Sequence, residues 1–206
     1  MLDGMMKRVF DPALGRAAIS LARYGVSANH ITMVGLALGL FAASLIAAGH
    51  SGWVALVPLL ANRLADGLDG SVARLSQITD FGGFLDIVSD FIFYGAIPLA
   101  FVLREPNENG VAGAFLLTSF YANGSSFLAF AILAAKRNMQ TQQRGVKSLY
   151  FTTGLLEGTE TIAFFVTICI FPSYFVPLAW VFGGLCFLTA ALRIALAWRV
   201  FGVKHL

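Results

Sequence analysis

Charged side chains are scarce in this chain of 206 residues, at 12%, against 58% hydrophobic residues and a mean hydropathy of +0.77. That balance excludes a soluble domain of this size and leaves an integral membrane protein. Cysteine is scarcer still. Cys169 and Cys186 stand alone inside apolar runs, without the paired spacing of a zinc site, and read as inert core thiols. The sequence shows no repeat of 20 to 50 residues, no second domain and no long linker. No secretory signal is expected, because Lys7, Arg8, Arg16 and Arg23 interrupt the apolar positions of the first 24 residues. What is plentiful is glycine and phenylalanine, 21 and 19 residues, which suit close helix approach and a lipid surroundings respectively.

The periodicity is helical throughout. Leu2, Met5, Met6, Val9, Phe10, Leu14, Ala17 and Leu21 recur at three- and four-residue steps opposite a basic face, so residues 1–26 are expected to form an interfacial amphipathic helix. Residues 27–206 are expected to form one six-helix transmembrane domain. Its spans run about Ile31 to Ala48, Trp53 to Ala73, Phe84 to Leu103, Val111 to Ala135, Leu155 to Phe171 and Leu178 to Val200, each near the roughly 20 residues a bilayer core demands. Turn-forming or polar breaks separate them at residues 49–52, 76–83, 105–110, 138–148 and 172–177. Ser27 or Asn29 can cap the first span. The fold class is therefore all-α, integral to the membrane.

Basic residues fix the expected orientation. With six spans, Lys7, Arg8, Arg16, Arg23, Arg63, Arg74, Lys136, Arg137, Arg144, Lys147, Arg193, Arg199 and Lys204 fall on one side and only Arg104 on the other. Lys and Arg are retained in the cytoplasm, so both termini are expected there, in a multi-pass protein of a cell or inner membrane.

The acids are concentrated in DGLDGSVARLSQITDFGGFLDIVSD, where one apolar span ends and the next begins. If the second span stays helical to Arg74, then Asp66, Asp69, Gly70, Ala73 and Arg74 fall at i, i+3, i+4, i+7 and i+8, on one face. Asp86 and Asp90 lie one turn apart on the next helix. Ionised carboxylates at membrane depth need compensation, and four converging on one cleft can hold two hard cations such as Mg²⁺ or Mn²⁺. Neither thiolate nor imidazole accompanies them, so zinc is not expected. Gly70, Ala73, Gly82 and Gly83 leave room beside the acids, and Arg74 offers a fork for phosphate oxygens. Together these describe a site for a pyrophosphate bound through its cations. A purely structural network pairing Asp66 with Arg74 leaves three acids unneutralised.

This run resembles the signature of the CDP-alcohol phosphatidyltransferase family, Asp-x-x-Asp-Gly-x-x-Ala-Arg followed by Gly-x-x-x-Asp-x-x-x-Asp. Asp66, Asp69, Gly70, Ala73, Arg74, Gly82, Asp86 and Asp90 fill all eight fixed positions, although the seven residues from Leu75 to Phe81 are one short of the usual spacing. The resemblance is strongest over residues 62–98 and extends in outline to the leading amphipathic helix and to Asn29-His30-Ile31-Thr32. It implies transfer of a phosphatidyl or similar group from CDP-diacylglycerol or another CDP-linked lipid donor to a small alcohol, with release of CMP. It also implies that Asp66, Asp69, Asp86 and Asp90 hold the metal, that Asp90 is the general base, and that Gly70, Ala73, Arg74 and Gly82 line the nucleotide. Asn29 and Thr32 are further nucleotide candidates, or simply helix caps. The expected partners are the donor, the alcohol and membrane lipids, with no nucleic acid, and the family analogy adds a homodimer.

The acceptor is less legible. Lys147 and Arg193 could hold a phosphorylated alcohol, and Glu157 and Glu160, one turn apart, could recognise hydroxyl or ammonium groups or else pair with those two bases. Lys136 and Arg137 read as interfacial anchors, and Ser119, Asn123, Ser125 and Ser126 as helix-to-helix hydrogen bonding. A transporter using the acids as its pathway is the alternative class, but it leaves the glycine, alanine and arginine offsets unexplained.

Overall fold

The structure is a computed structural model that describes residues 14–137, 139, 156 and 158–202. A short helix α1 (residues 14–23) ends where Gly25 turns the chain at φ 75°, in the left-handed region that glycine adopts without strain. Among the described residues six longer helices follow: α2 (Ala28–Ala47), α3 (Gly52–Leu75), α4 (Asp80–Arg104), α5 (Pro106–Lys136), α6 (Gly158–Ile170) and α7 (Phe175–Phe201). A 3₁₀ turn (Pro172–Tyr174) joins the last two. No strand occurs among the described residues.

Local chemistry explains where these helices begin. Ser27, rather than Asn29, caps α2 by accepting from the His30 amide at 3.3 Å. Thr79 does the same for α4, accepting from Gly82 N at 3.0 Å, so α4 starts at Asp80 and absorbs the last four residues of the break expected at 76–83. The break expected at 105–110 shrinks further. Pro106 opens α5, a position where its missing N–H is no loss, and Asn109 donates its side-chain amide to Phe101 O at 2.8 Å, so polar residues read as a loop build the first turn.

α2 packs along both α3 and α4, α4 along α5, and α5 along α7, with α6 set against α3. The centre is aromatic. Phe93 meets Phe165 edge to face at 5.7 Å, and Phe101 stacks on Phe175 at 4.9 Å, all four fully buried. Outward, α2, α3, α4, α5 and α7 expose Phe41, Val57, Leu103, Val111, Ile132 and Ile194, large apolar side chains suited to lipid. Arg104 donates to His50 O at 3.1 Å at one end of the bundle, while Arg137 at the other closes the α7 C-terminus by donating to Val200 O and Phe201 O at 3.0 Å each.

Helices α2, α4 and α5, and the stretch Pro172–Phe201 that contains α7, are each long and apolar enough to cross a membrane. α3 has the length, at 24 residues, but carries Arg63, Asp66, Asp69 and Arg74 from its middle onward; α6 is apolar but covers 13 residues. Six helices were expected as spans, and four meet that test alone. Of the leading helix, residues 1–13 lie outside the described part; in α1 Ala18 is fully buried against Ile31 and Val72 while Arg16 and Arg23 are exposed. The apolar stripe thus packs in part on α2 and α3.

Candidate active site

α3 remains helical to Leu75, which sets Asp66 and Asp69 on one face, and α4 brings Asp86, Ser89 and Asp90 opposite. These five line one cleft together with Thr32, Gly35 and Leu36 of α2 and Asn62 and Arg63 of α3. All four carboxylates, from two helices, thus line the same cleft, and a third helix completes the wall.

Each acid has a distinct setting. Asp69 is almost wholly buried and accepts from the Thr32 hydroxyl at 2.5 Å, while that threonine also bonds Ala28 O of its own helix. Thr32 thus orients a carboxylate and is not the cap of α2. Asp90 accepts from Arg63 Nη1 at 3.0 Å, and Asp66 Oδ2 lies 3.8 Å from the same nitrogen. Asp86 is exposed at the mouth. The partner of Asp66 is Arg63, one turn before it, and not Arg74.

Arg63 is the residue that sequence reasoning passed over except as a marker of orientation. Its Nε donates to Asn62 Oδ1 at 2.7 Å, and Asn62 Nδ2 in turn donates to Gly35 O at 2.8 Å. The guanidinium lies 4.6 Å from the Phe93 ring centroid and 5.8 Å from that of Tyr94. A signal was available: Arg63 is an ionised residue inside an apolar span, three positions before Asp66. Asn62 and Ser89 were missed as well, and uncharged residues leave no comparable mark.

Arg74 sits apart. It donates to Ser71 Oγ at 2.9 Å and lines a separate hollow of about 280 Å³ with Gly15, Ile19, Ser71 and Leu75, between α1 and the end of α3. A Cβ on Gly70 would make ordinary contact with Arg74 Nη1, at 3.5 Å, and Ala73 is half-buried on the next turn. At Gly82 a Cβ would crowd Thr79 Oγ1 at 3.0 Å and Asn29 Oδ1 at 3.2 Å, whereas Gly83 faces open space. Gly82 and Asn29 are therefore neighbours, and Gly82 is the glycine whose small size matters.

Of the acceptor candidates, Lys147 and Glu157 lie outside the described residues, and Glu160 is half-buried in the first turn of α6. Arg193 is buried against α5, its Nη1 donating to Asn123 O at 2.9 Å, Asn123 Oδ1 at 2.8 Å and Ser126 Oγ at 2.7 Å. Asn123 and Ser126 thus serve helix-to-helix bonding, as their polar band led one to expect.

Among the described residues, no group of three or more His, Cys, Asp and Glu side chains stands close enough together to hold a metal ion. The donor chemistry nevertheless fits a hard cation. Four carboxylates and one guanidinium line a single cleft, leaving excess negative charge, and the buried Ser89 Oγ there has no hydrogen-bond partner among the described residues.

The all-helical membrane bundle with its four aspartates on one cleft is the arrangement that the signature in the sequence led one to expect. The chain belongs to the CDP-alcohol phosphatidyltransferase family, whose model matches residues 25–201. It is 45% identical over 196 residues to the inner membrane protein YnjF of Escherichia coli (strain K12), covering 94% of each chain. Its fold is similar to the crystal structure of Mycobacterium tuberculosis phosphatidylinositol phosphate synthase (PgsA1) with CDP-DAG bound, at a TM-score of 0.65 and 18% identity, over 94% of this chain and 98% of that one. The protein is thus an integral membrane enzyme of this family.

Proposed function

We propose that this enzyme transfers a phosphatidyl group from CDP-diacylglycerol, or a similar CDP-linked lipid, to a small alcohol and releases CMP, with the cleft facing the cytoplasm. The observation that carries the reading is the meeting of Asp66, Asp69, Asp86 and Asp90 in one cleft walled by α2, α3 and α4.

An alcohol attacking phosphorus must lose its proton as the P–O bond forms. Asp90 accepts it. Arg63 donates to Asp90 Oδ1, which leaves Oδ2 as the oxygen for the hydroxyl. Asp66, Asp69 and Asp86 supply the oxygens for Mg²⁺ or Mn²⁺, with Thr32 keeping Asp69 in place. When bound, the cation neutralises the pyrophosphate and stabilises charge on the departing CMP. Gly82 beside Asn29 leaves space for the nucleotide, as do Gly70 and Ala73, and Arg74 lies within reach of α1 for phosphate oxygens.

The test is CMP release from CDP-diacylglycerol by the purified protein, with Mg²⁺ or Mn²⁺, across a panel of glycerol phosphate, inositol phosphate, inositol, serine and glycerol. Turnover with at least one acceptor is expected. Silence toward the whole panel overturns the reading.

A further inference from the structure

We propose that the hollow between α1 and the end of α3 receives the nucleotide end of the donor, with Ser71 holding the Arg74 fork toward it and α1 closing it through Gly15 and Ile19. The inference rests on the CDP-linked donor proposed above and gives that donor a wall outside the carboxylate cleft.

The face of α3 leads there. Asp66, Asp69, Gly70, Ala73 and Arg74 share it, and Arg74 lies five residues beyond Asp69, about 7–8 Å along the axis. A nucleoside diphosphate whose pyrophosphate sits at the carboxylates spans that distance, and Gly70 and Ala73 keep the path between low. α1 covers the far end. Ala18 is fully buried on Ile31 and Val72, and Gly67 has no side chain where Leu14 approaches, since a Cβ there would lie 2.9 Å from Leu14 Cδ1. Ile31 adjoins Thr32, which holds Asp69, so one stretch of α2 supports both α1 and the innermost carboxylate.

The hollow has the chemistry of a nucleotide pocket. Its volume of about 280 Å³ lies just under the roughly 300–1,000 Å³ of ligand sites, which suits a polar head and not acyl chains. Ser71 is buried, donates its hydroxyl to Gly67 O at 2.9 Å and accepts from Arg74 Nη2 at 2.9 Å. The fork is thus aimed by a group that is itself fixed. Among the described residues no other partner takes Arg74, so Nη1 and Nε remain for phosphate oxygens. Ile19 and Leu75, both exposed, offer apolar surface to a flat base. A basic residue favours the last turn of any helix, but that role needs neither a hydroxyl to steady the fork nor a hollow beside it. Ser71 is accordingly a positioning residue for Arg74.

The experiment is calorimetric binding of CDP, with Mn²⁺, to the purified full chain in detergent micelles, alongside the thermal midpoint. A Cβ on Gly15 would meet nothing within 4 Å, and leucine is a better helix former than glycine. Gly15→Leu, which fills the hollow, is therefore expected to raise the Kd for CDP at least about tenfold with the midpoint equal or higher, the reverse of what a merely structural role would give. Ser71→Ala should raise that Kd about threefold or more, and Ser71→Thr, which keeps the hydroxyl, should restore it. Wild-type CDP affinity in folded Gly15→Leu and Ser71→Ala overturns the inference and leaves the donor reading to wild-type turnover. Where Gly15→Leu does not fold, the two Ser71 variants decide. Weaker binding to phosphatidylglycerol vesicles with CDP affinity unchanged also overturns it, because the hollow would then take a membrane headgroup. Neither CDP binding nor CMP release by the wild type overturns the donor reading and this inference with it.

Discussion

Gly39 of α2 and Phe93 of α4 meet so closely that a Cβ on the glycine would lie 2.6 Å from the phenylalanine ring. Phe93 is fully buried and carries the Arg63 guanidinium on its face, and Arg63 holds Asp90. A missing side chain on α2 is thereby connected, through a ring and a cation, to Asp90, the carboxylate proposed to take the proton.

Gly39→Ala is expected to push Phe93 away from α2 and with it the platform of Arg63. Overpacking of this kind costs about 1–3 kcal/mol. Thermal unfolding in detergent should show a lowered midpoint, and CMP release should fall further than the lost stability explains. An unchanged midpoint and rate would mean that the helices part without consequence.

Asp90→Asn removes the proposed proton acceptor but keeps the size of the side chain and an oxygen for Arg63. Loss of a general base lowers rates by roughly 10²–10⁴-fold. The expected result is transfer reduced by that order, with the thermal midpoint and CDP binding little changed. Wild-type turnover in this variant would remove Asp90 from its role.

Asp66→Ala takes away one of the three carboxylates assigned to the cation. Because even an indirect disturbance of a metal site weakens affinity about 10–100-fold, the loss of a ligand should reach at least the lower figure, and CDP affinity measured with Mn²⁺ should drop alongside it. In the same preparation, chelation should abolish CMP release and added Mg²⁺ or Mn²⁺ restore it. Unaltered Mn²⁺ affinity in the variant would contradict the assignment.

The four aspartates were legible because helical spacing alone puts Asp66 with Asp69 and Asp86 with Asp90; that α2 packs on both α3 and α4 and so closes the cleft between them was not. The helix starts were less so. Asn109 looks like a loop residue until the carbonyl it caps is known, and Phe101 O lies eight positions away on another helix. Arg63 was hidden for a related reason. Its role depends on Phe93 and Gly35, which belong to α4 and α2, and no periodicity within α3 announces partners that tertiary packing supplies. Gly35 and Gly39, four residues apart, form a pattern frequent enough by chance to mean little alone, yet they are where Ala65 and Phe93 close on α2.

Arg193 offers the clearest division between holding the bundle together and recognising substrate. Sequence reasoning made it a candidate for an acceptor phosphate, and its place opposite Asn123 and Ser126 makes it the link between α7 and α5. Its guanidinium also lies 5.6 Å from the Phe127 ring centroid, which holds it along α5. Interhelical hydrogen bonds within membranes are worth roughly 0.6–2 kcal/mol each, so Arg193→Met should destabilise the protein by about 1–3 kcal/mol, visible as a lower unfolding midpoint in detergent. The variant leaves the four aspartates and Arg63 untouched, so the KM for the alcohol should stay within about twofold, well under the roughly tenfold loss that 1.4 kcal/mol of binding represents. A large rise in that KM with an unchanged midpoint would return Arg193 to the acceptor, because a residue that binds substrate and not its neighbouring helix moves the first quantity and spares the second.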